Sequence, residues 1–170
     1  MAPEVFRTGH LEHVMSITDE RVKTVDRVKN KPKTNDGSLP VMEYDFKDQV
    51  LQEITKNIWH AQKAGWDRIL TYDLIADRVK RKRAKRAKRY WAIEASGVVV
   101  SRESSADEYP FASTIENSGS VFIGHATKEA QDKQGRLISA FYKLHRDKIN
   151  SDKPFYFEVR TINVPDNGWK

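Results

Sequence analysis

The pattern of apolar and polar residues predicts two helices in the first half of the chain. The first covers residues 45–64 and ends at Gly65. Its apolar residues recur at helical spacing: Val50, Leu51, Ile54 and Ile58. The second helix runs from a cap at Thr71 or Asp73 to about Trp91. Both are amphipathic, so each is expected to pack one face against a core.

The second half of the chain predicts strands around one further helix. Gly97–Arg102 and Ser120–Gly124 are short apolar runs that are typical of buried strands. A helix is expected over 128–147, with Thr127 as its cap. Residues 155–160 alternate between apolar and polar, which indicates a half-buried strand. This order of elements predicts an α+β domain.

Residues 1–40 differ from the rest of the chain. Asn30–Pro40 consists largely of turn-forming and helix-breaking residues, a composition typical of a linker. We therefore predict an N-terminal extension and linker over 1–40 and one folded domain over 41–170. The whole chain has 170 residues, which is enough to bury a core without disulfides or a structural metal.

Composition excludes several classes of protein. No apolar run approaches the length of about 18 residues that a transmembrane helix needs, so no membrane role is expected. The first residues lack the apolar segment of a signal peptide. The chain contains no cysteine, which excludes disulfides, thiolate catalysis and zinc–cysteine sites.

The positive charge is concentrated in one short segment. The chain has 30 Lys and Arg against 24 Asp and Glu, and nine of the basic residues lie between Arg78 and Arg89. Clustered cations on one helix face favour contact with a polyanion such as nucleic acid. A solvated surface or a localisation signal is the alternative. The basic residues predicted on the outer face are Arg78, Arg81, Lys82, Lys85, Lys88 and Arg89.

Acidic residues cluster around the two central predicted strands. Asp107 and Glu108 follow the first strand, and Glu116 lies in the next loop. Glu129 and Asp132 are three residues apart, so they share one face of the following helix. Carboxylates in this arrangement suit a hard divalent cation such as Mg²⁺. Such a cation could polarise a phosphate while a carboxylate activates water.

The segment Asp107–Thr114 (DEYPFAST) closely resembles the signature of the NucA/NucB deoxyribonucleases, small bacterial non-specific endonucleases. Glu129–Gly135 resembles the helix motif of that family, and Ile58–Ala61 resembles its lead-in. The resemblance extends over roughly 42–160. It implies a ββα-metal-like nuclease core with two helices on its N-terminal side and a small antiparallel sheet.

The resemblance also implies roles for individual residues. Asp107 would be the base that activates the attacking water. Glu129, Gln131 or Asp132 would bind one divalent cation, Mg²⁺ or Mn²⁺, directly or through water. Gln131 stands where the family has Asn, so its amide oxygen reaches one methylene farther.

Five more residues are candidates, and three of them have an alternative interpretation. Glu108 is either catalytic or structural, through bonds to the backbone of the turn. Glu116 either supports the metal site or lies at the surface. His125 is a general acid or phosphate contact, or else the polar end of a strand. Arg102 and Arg136 are candidates for holding the scissile phosphate.

The sequence therefore predicts a metal-dependent DNA endonuclease that hydrolyses phosphodiester bonds with little sequence preference. A nuclease without a signal peptide or disulfides is expected to be a bacterial toxin or effector domain. It would be delivered into a target bacterial cytoplasm as part of a longer protein, with an immunity protein as its inhibitor. The alternative is a non-catalytic nucleic-acid-binding module that reuses the nuclease fold.

Overall fold

The structure, a computed structural model, describes residues 29–74, 89, 92–118, 120–166 and 168. Two compact units divide the chain, Met1–Lys31 and Pro32–Lys170, and every element named below belongs to the second. The predicted domain boundary near residue 40 stays a prediction.

Strands and helices are interspersed along the described chain, which confirms a mixed α+β fold. A 3₁₀ turn at Gln49–Leu51 precedes α1, another lies at Ile115–Ser118, and residues 92–96 are helical. The elements in order are β1 (Val41–Asp45), α1 (Gln52–Lys63), β2 (Ile69–Thr71), β3 (Ser104–Tyr109), β4 (Phe122–Thr127), α2 (Lys128–Leu144), α3 (Arg146–Ile149) and β5 (Tyr156–Ile162).

One small sheet joins the two ends of the domain. β5 is its central strand, with β1 on one side and β2 on the other. β1 pairs with β5 in parallel, so that Met42 lies beside Val159, whereas β2 pairs with β5 in antiparallel fashion. The sequence did not predict β1, and this sheet is mixed where only a small antiparallel sheet was expected. β1 and β5 are far apart in sequence, so no hairpin turn imposes an antiparallel direction.

The second sheet is the antiparallel hairpin of β3 and β4, which leads directly into α2. Its register places Asp107 opposite Gly124. The predicted strand at Gly97–Arg102 is wrong. Val99 and Val100 are 72% and 53% exposed in a segment without regular structure. The acidic motif itself forms the strand, because pairing with β4 and burial against the core override the higher β-propensity of the valines.

The predicted helix ends are correct where they depend on a capping residue or a glycine at that end. Thr127 caps α2 by accepting a hydrogen bond from the Ala130 N–H, which confirms the predicted N-terminus. α1 begins later than predicted, at Gln52, and Gly65 follows it with φ of 106°. Most of the second predicted helix lies outside the described residues. Thr71 cannot cap it, because Thr71 is a strand residue of β2.

The core lies between the β1–β5–β2 sheet, α1 and the hairpin. Tyr44, Ile54, Ile58, Tyr109 and Phe157 are all at most 1% exposed and belong to one cluster. α1 and α2 both pack against the hairpin, which places the acidic motif at their meeting point. Within the described ranges no helix combines the length and hydrophobicity that crossing a membrane requires.

Candidate active site

Asp107 is a carboxylate buried among polar partners. It is 2% exposed and is held by two amide side chains from different helices. The Asn57 Nδ2 donates to its Oδ2 at 3.1 Å, and the Gln131 Nε2 donates to its Oδ1 at 3.3 Å. Because α1 supplies one amide and α2 the other, the orientation of this carboxylate depends on the packing of both helices against the hairpin.

Asn57 reaches Asp107 by lying directly across β4. Its Nδ2 also donates to the backbone carbonyl of His125 at 3.0 Å. A Cβ on Gly124 would lie only 2.4 Å from the Asn57 Cγ and Oδ1 atoms. A side chain at position 124 would therefore displace the Asn57 amide from the carboxylate.

Sequence reasoning did not identify Asn57 or the requirement for Gly124. The only signal was a polar residue beside the apolar stripe of α1, three residues after Ile54 and directly before Ile58. Such positions are common at the edge of a surface helix, so the pattern alone does not distinguish an amide that orients a carboxylate.

Arg89 brings positive charge next to Asp107. Its guanidinium donates to the carbonyl of Ala106 at 3.0 Å and lies 4.0 Å from the Glu108 carboxylate. The prediction placed Arg89 on the outer, DNA-contacting face of the basic helix, and the structure places it at the acidic motif. The other predicted members of that face, residues 78–88, lie outside the described residues.

A cleft of about 250 Å³ opens beside these groups. It brings together Asp107 and Glu108 from β3, Arg89 from the basic segment and Gln131 from α2. The remaining lining residues are Phe111, Ala112, Ser113, Gln134, Gly135 and Ile138. One wall therefore carries carboxylates and amides, and a guanidinium is within reach of both.

A second, more open depression adjoins the cleft along α2. It shares Gln131 and Gly135 with the cleft and continues to Asp132, Arg136 and Ser139. Arg136, predicted as a phosphate contact, is exposed here. Gln131 and Gly135 therefore line both depressions, which neighbour each other along α2.

The pKa of Asp107 is raised from its ordinary value of 3.8 to about 7. Burial is the main cause, because removing a carboxylate from water disfavours its charged form. The nearby negative charge of Glu108 adds to the rise. The hydrogen bonds from Asn57 and Gln131 and the charge of Arg89 act in the opposite direction.

The carboxylate of Glu116 is hydrogen-bonded to Thr71. Its Oε2 accepts from the Thr71 N–H at 2.9 Å, and its Oε1 accepts from the Thr71 hydroxyl at 2.8 Å. It therefore ties the loop after β3 to β2, and it is not among the residues that line the cleft. The predicted role of Glu116 at a metal remains a prediction.

Three other predicted residues are exposed outside the cleft lining. His125 lies in β4, not after it as predicted, and its Nδ1 is 3.1 Å from the Glu53 carboxylate. Glu129 lies in the first turn of α2 and Arg102 in the segment before β3. The structure brings Asp107, Glu108, Gln131 and Arg89 together, and it does not bring these three into the same cleft.

The donor atoms of the cleft suit a hard divalent cation. Within the described part of the chain, no three His, Cys, Asp or Glu side chains are arranged to hold a metal ion. Mg²⁺ usually keeps several waters, however, and binds through one or two carboxylates together with substrate phosphates. The Glu108 carboxylate and the amide oxygen of Gln131, with the Asp132 carboxylate in the neighbouring depression, fit that smaller requirement.

Comparison with protein families gives one match. Residues 58–157, more than half of the chain, match the family Deoxyribonuclease NucA/NucB. The matched region begins within α1 and ends within β5, so it contains the hairpin, α2 and the whole cleft. No curated protein shows significant similarity to the chain.

Proposed function

Because the chain belongs to the deoxyribonuclease NucA/NucB family, we propose that it is a divalent-metal-dependent DNA endonuclease with little sequence preference. The β3–β4–α2 unit is then a ββα-metal-like nuclease core. The observation that carries this proposal is the buried Asp107 carboxylate, oriented by Asn57 and Gln131 at a cleft that Arg89 also lines.

Asp107 is the general base of this reaction. It accepts a proton from a water molecule whose oxygen attacks phosphorus in line with the leaving oxygen. As the new P–O bond forms, the bond to the leaving oxygen breaks. A base with a pKa near 7 is well matched to this task, since it is both ionised and still basic near neutral pH. The two amides keep its oxygens in a fixed orientation.

Arg89 and Arg136 contact the substrate phosphates on either side of this point, Arg89 in the cleft and Arg136 in the adjoining depression. Their contacts are to the nucleic-acid backbone, which carries no sequence information. The sequence predicts further backbone contacts for a basic face that lies outside the described residues: Arg78, Arg81, Lys82, Lys85 and Lys88. Arg102 lies exposed before β3.

The cation belongs to the proposal through the donor chemistry of the cleft. Gln131 and Glu108 are the residues that would hold Mg²⁺ or Mn²⁺ beside the base Asp107, with Asp132 and Glu129 as the further carboxylates on α2. Such a cation, when bound, polarises the phosphate and offsets the negative charge that develops on its oxygens. His125 as general acid remains a prediction from the sequence.

Removing the cation distinguishes the proposed enzyme from a non-catalytic DNA-binding module. We expect cleavage of duplex DNA to stop in EDTA and to return when Mg²⁺ or Mn²⁺ is added in excess. Binding of a labelled duplex in EDTA should persist, because backbone contacts by Arg and Lys do not require the cation. A protein that binds the duplex and leaves it uncut with every metal would contradict the enzyme and favour the binding module.

We further propose that the enzyme acts as an antibacterial toxin or effector with a dedicated inhibitor protein. The support is chemical, since a nuclease that ignores sequence would cut the chromosome of any cell that contains its active form. Expression in a bacterium is therefore expected to reduce viable counts, and Asp107→Asn should restore them at equal protein levels. Growth that is unaffected by active enzyme would contradict the toxin role without touching the nuclease activity.

A further inference from the structure

Among the described residues, neither a close contact nor the backbone conformation requires a glycine at Gly135. Six glycines lie in the described residues. Four have positive φ values, and Gly124 is covered by Asn57. Gly135 has neither property: a Cβ added to it would meet nothing within 4 Å.

Glycine at this position has a cost for the protein. Gly135 lies in the interior of α2, which continues without a break from Lys128 to Leu144. Glycine in a helix interior is destabilising relative to alanine, because it loses more backbone entropy on folding. Nothing among the described residues occupies the space above it, so the reason for a glycine here is sought outside those residues.

The position of Gly135 indicates what that reason is. It lines both the cleft that contains Asp107 and the depression that contains Arg136 and Ser139. Along α2 the two depressions share Gln131 and Gly135, and Gly135 is the one of the two without a side chain. Arg136 offers a cation and Ser139 a hydroxyl to the phosphodiester backbone of a nucleic acid, and the Asp132 carboxylate lies in the same depression.

We propose that Gly135 is the point at which the backbone of the substrate strand crosses α2. The missing side chain lets a sugar–phosphate unit lie against the helix, with the scissile phosphate at Asp107 and the neighbouring one at Arg136. This inference rests on the proposed nuclease function, and it makes Gly135 a residue that positions the substrate.

Two substitutions distinguish the effect of Gly135 on the stability of the fold from its effect on DNA binding. Alanine and leucine have similar helix propensities, so Gly135→Ala and Gly135→Leu should raise the melting temperature by a similar amount, roughly 2–4 °C. The two variants differ only in the size of the side chain that would obstruct the DNA backbone. The affinity for a short duplex, measured in EDTA, is expected to fall in both variants. For leucine the loss should be at least about tenfold, the equivalent of ~1.4 kcal/mol.

Ala140→Leu is the matched control. Ala140 is exposed on the same helix and lines neither depression, so this variant should bind the duplex as the wild type does. In Mg²⁺ the Gly135 variants should show a raised KM with little change in kcat.

The possible results test the role of Gly135 and the proposed nuclease activity separately. Gly135 variants that bind and cleave like the wild type overturn the inference and leave the nuclease intact. A lower melting temperature in Gly135→Ala also overturns it, because the glycine would then serve the fold. If the wild type never cleaves but Gly135→Leu loses DNA affinity, the proposed enzyme fails and the crossing point stands.

Discussion

Replacing Asp107 with asparagine is expected to slow DNA cleavage by roughly 10²–10⁴-fold, the range for losing a general base. Asparagine has nearly the same shape and leaves the cleft intact, but it cannot accept a proton from water. Asp107 is 2% exposed, and the proposed phosphate contacts come from arginines. The affinity for DNA should therefore stay close to that of the wild type.

Single-turnover cleavage of a labelled duplex in Mg²⁺ measures this change, and binding of the same duplex in EDTA measures the affinity. Asp152→Asn is a suitable control, because Asp152 is an exposed carboxylate in the segment before β5. If Asp107→Asn cleaves within a few-fold of the wild type, another group activates the water.

The same substitution is expected to remove the pH dependence of stability that the buried carboxylate imposes on the wild type. Relative to the wild type, the free energy of unfolding of Asp107→Asn should rise by on the order of 2–4 kcal/mol as the pH increases from about 4 to about 8. The reason is the buried carboxylate, whose charge is unfavourable in the native protein.

The direction follows from the raised pKa of Asp107, about 7 in the native protein against an ordinary value of 3.8. Below the lower value the carboxyl is protonated in both states, so its pKa shift does not oppose folding. Between the two values only the unfolded chain releases the proton, so the native state of the wild type loses stability as the pH rises. Above about 7 the loss is complete, and asparagine avoids it throughout.

Urea denaturation of both proteins at several pH values, in EDTA, measures this difference. Asp152→Asn, at an exposed carboxylate, is measured beside them as the matched control. A constant difference between Asp107→Asn and the wild type across this pH range would mean that the pKa of Asp107 is not raised by burial.

Local signals were sufficient for part of the fold. Thr127 and the residues after it predict the start of α2, because a helix cap needs only the adjacent backbone N–H groups. Gly65 likewise ends α1 through its own φ value. These features depend on neighbours in the sequence, so the pattern of residues is enough to find them.

Contacts between distant residues explain what the sequence did not predict. Val98–Val100 have the composition of a strand but no partner among the described strands, whereas the polar segment at β3 pairs with β4. β1 and β2 were missed because each is completed only by β5, near the end of the chain. Strand formation depends on such partners more than on propensity.

In the candidate site too, features that depend on adjacent residues could be predicted and features that depend on distant contacts could not. The acidic motif around Asp107 could be found from the sequence, since its residues are adjacent. The amide of Asn57 could not, because it comes from another helix and requires the absence of a side chain at Gly124. Glu116 was assigned to the metal by proximity in sequence, while its two oxygens accept from Thr71.

The most direct test of Asp107 as the catalytic base is the nicking of supercoiled plasmid in Mg²⁺ by the wild type and by Asp107→Asn, at matched concentrations. A plasmid reports a single cut, so even weak residual activity is visible. We expect the wild type to convert the plasmid to nicked and then linear forms, and Asp107→Asn to leave it supercoiled over the same time. Equal nicking by both proteins, or none by a folded wild type that binds the plasmid, would contradict the proposed role of Asp107.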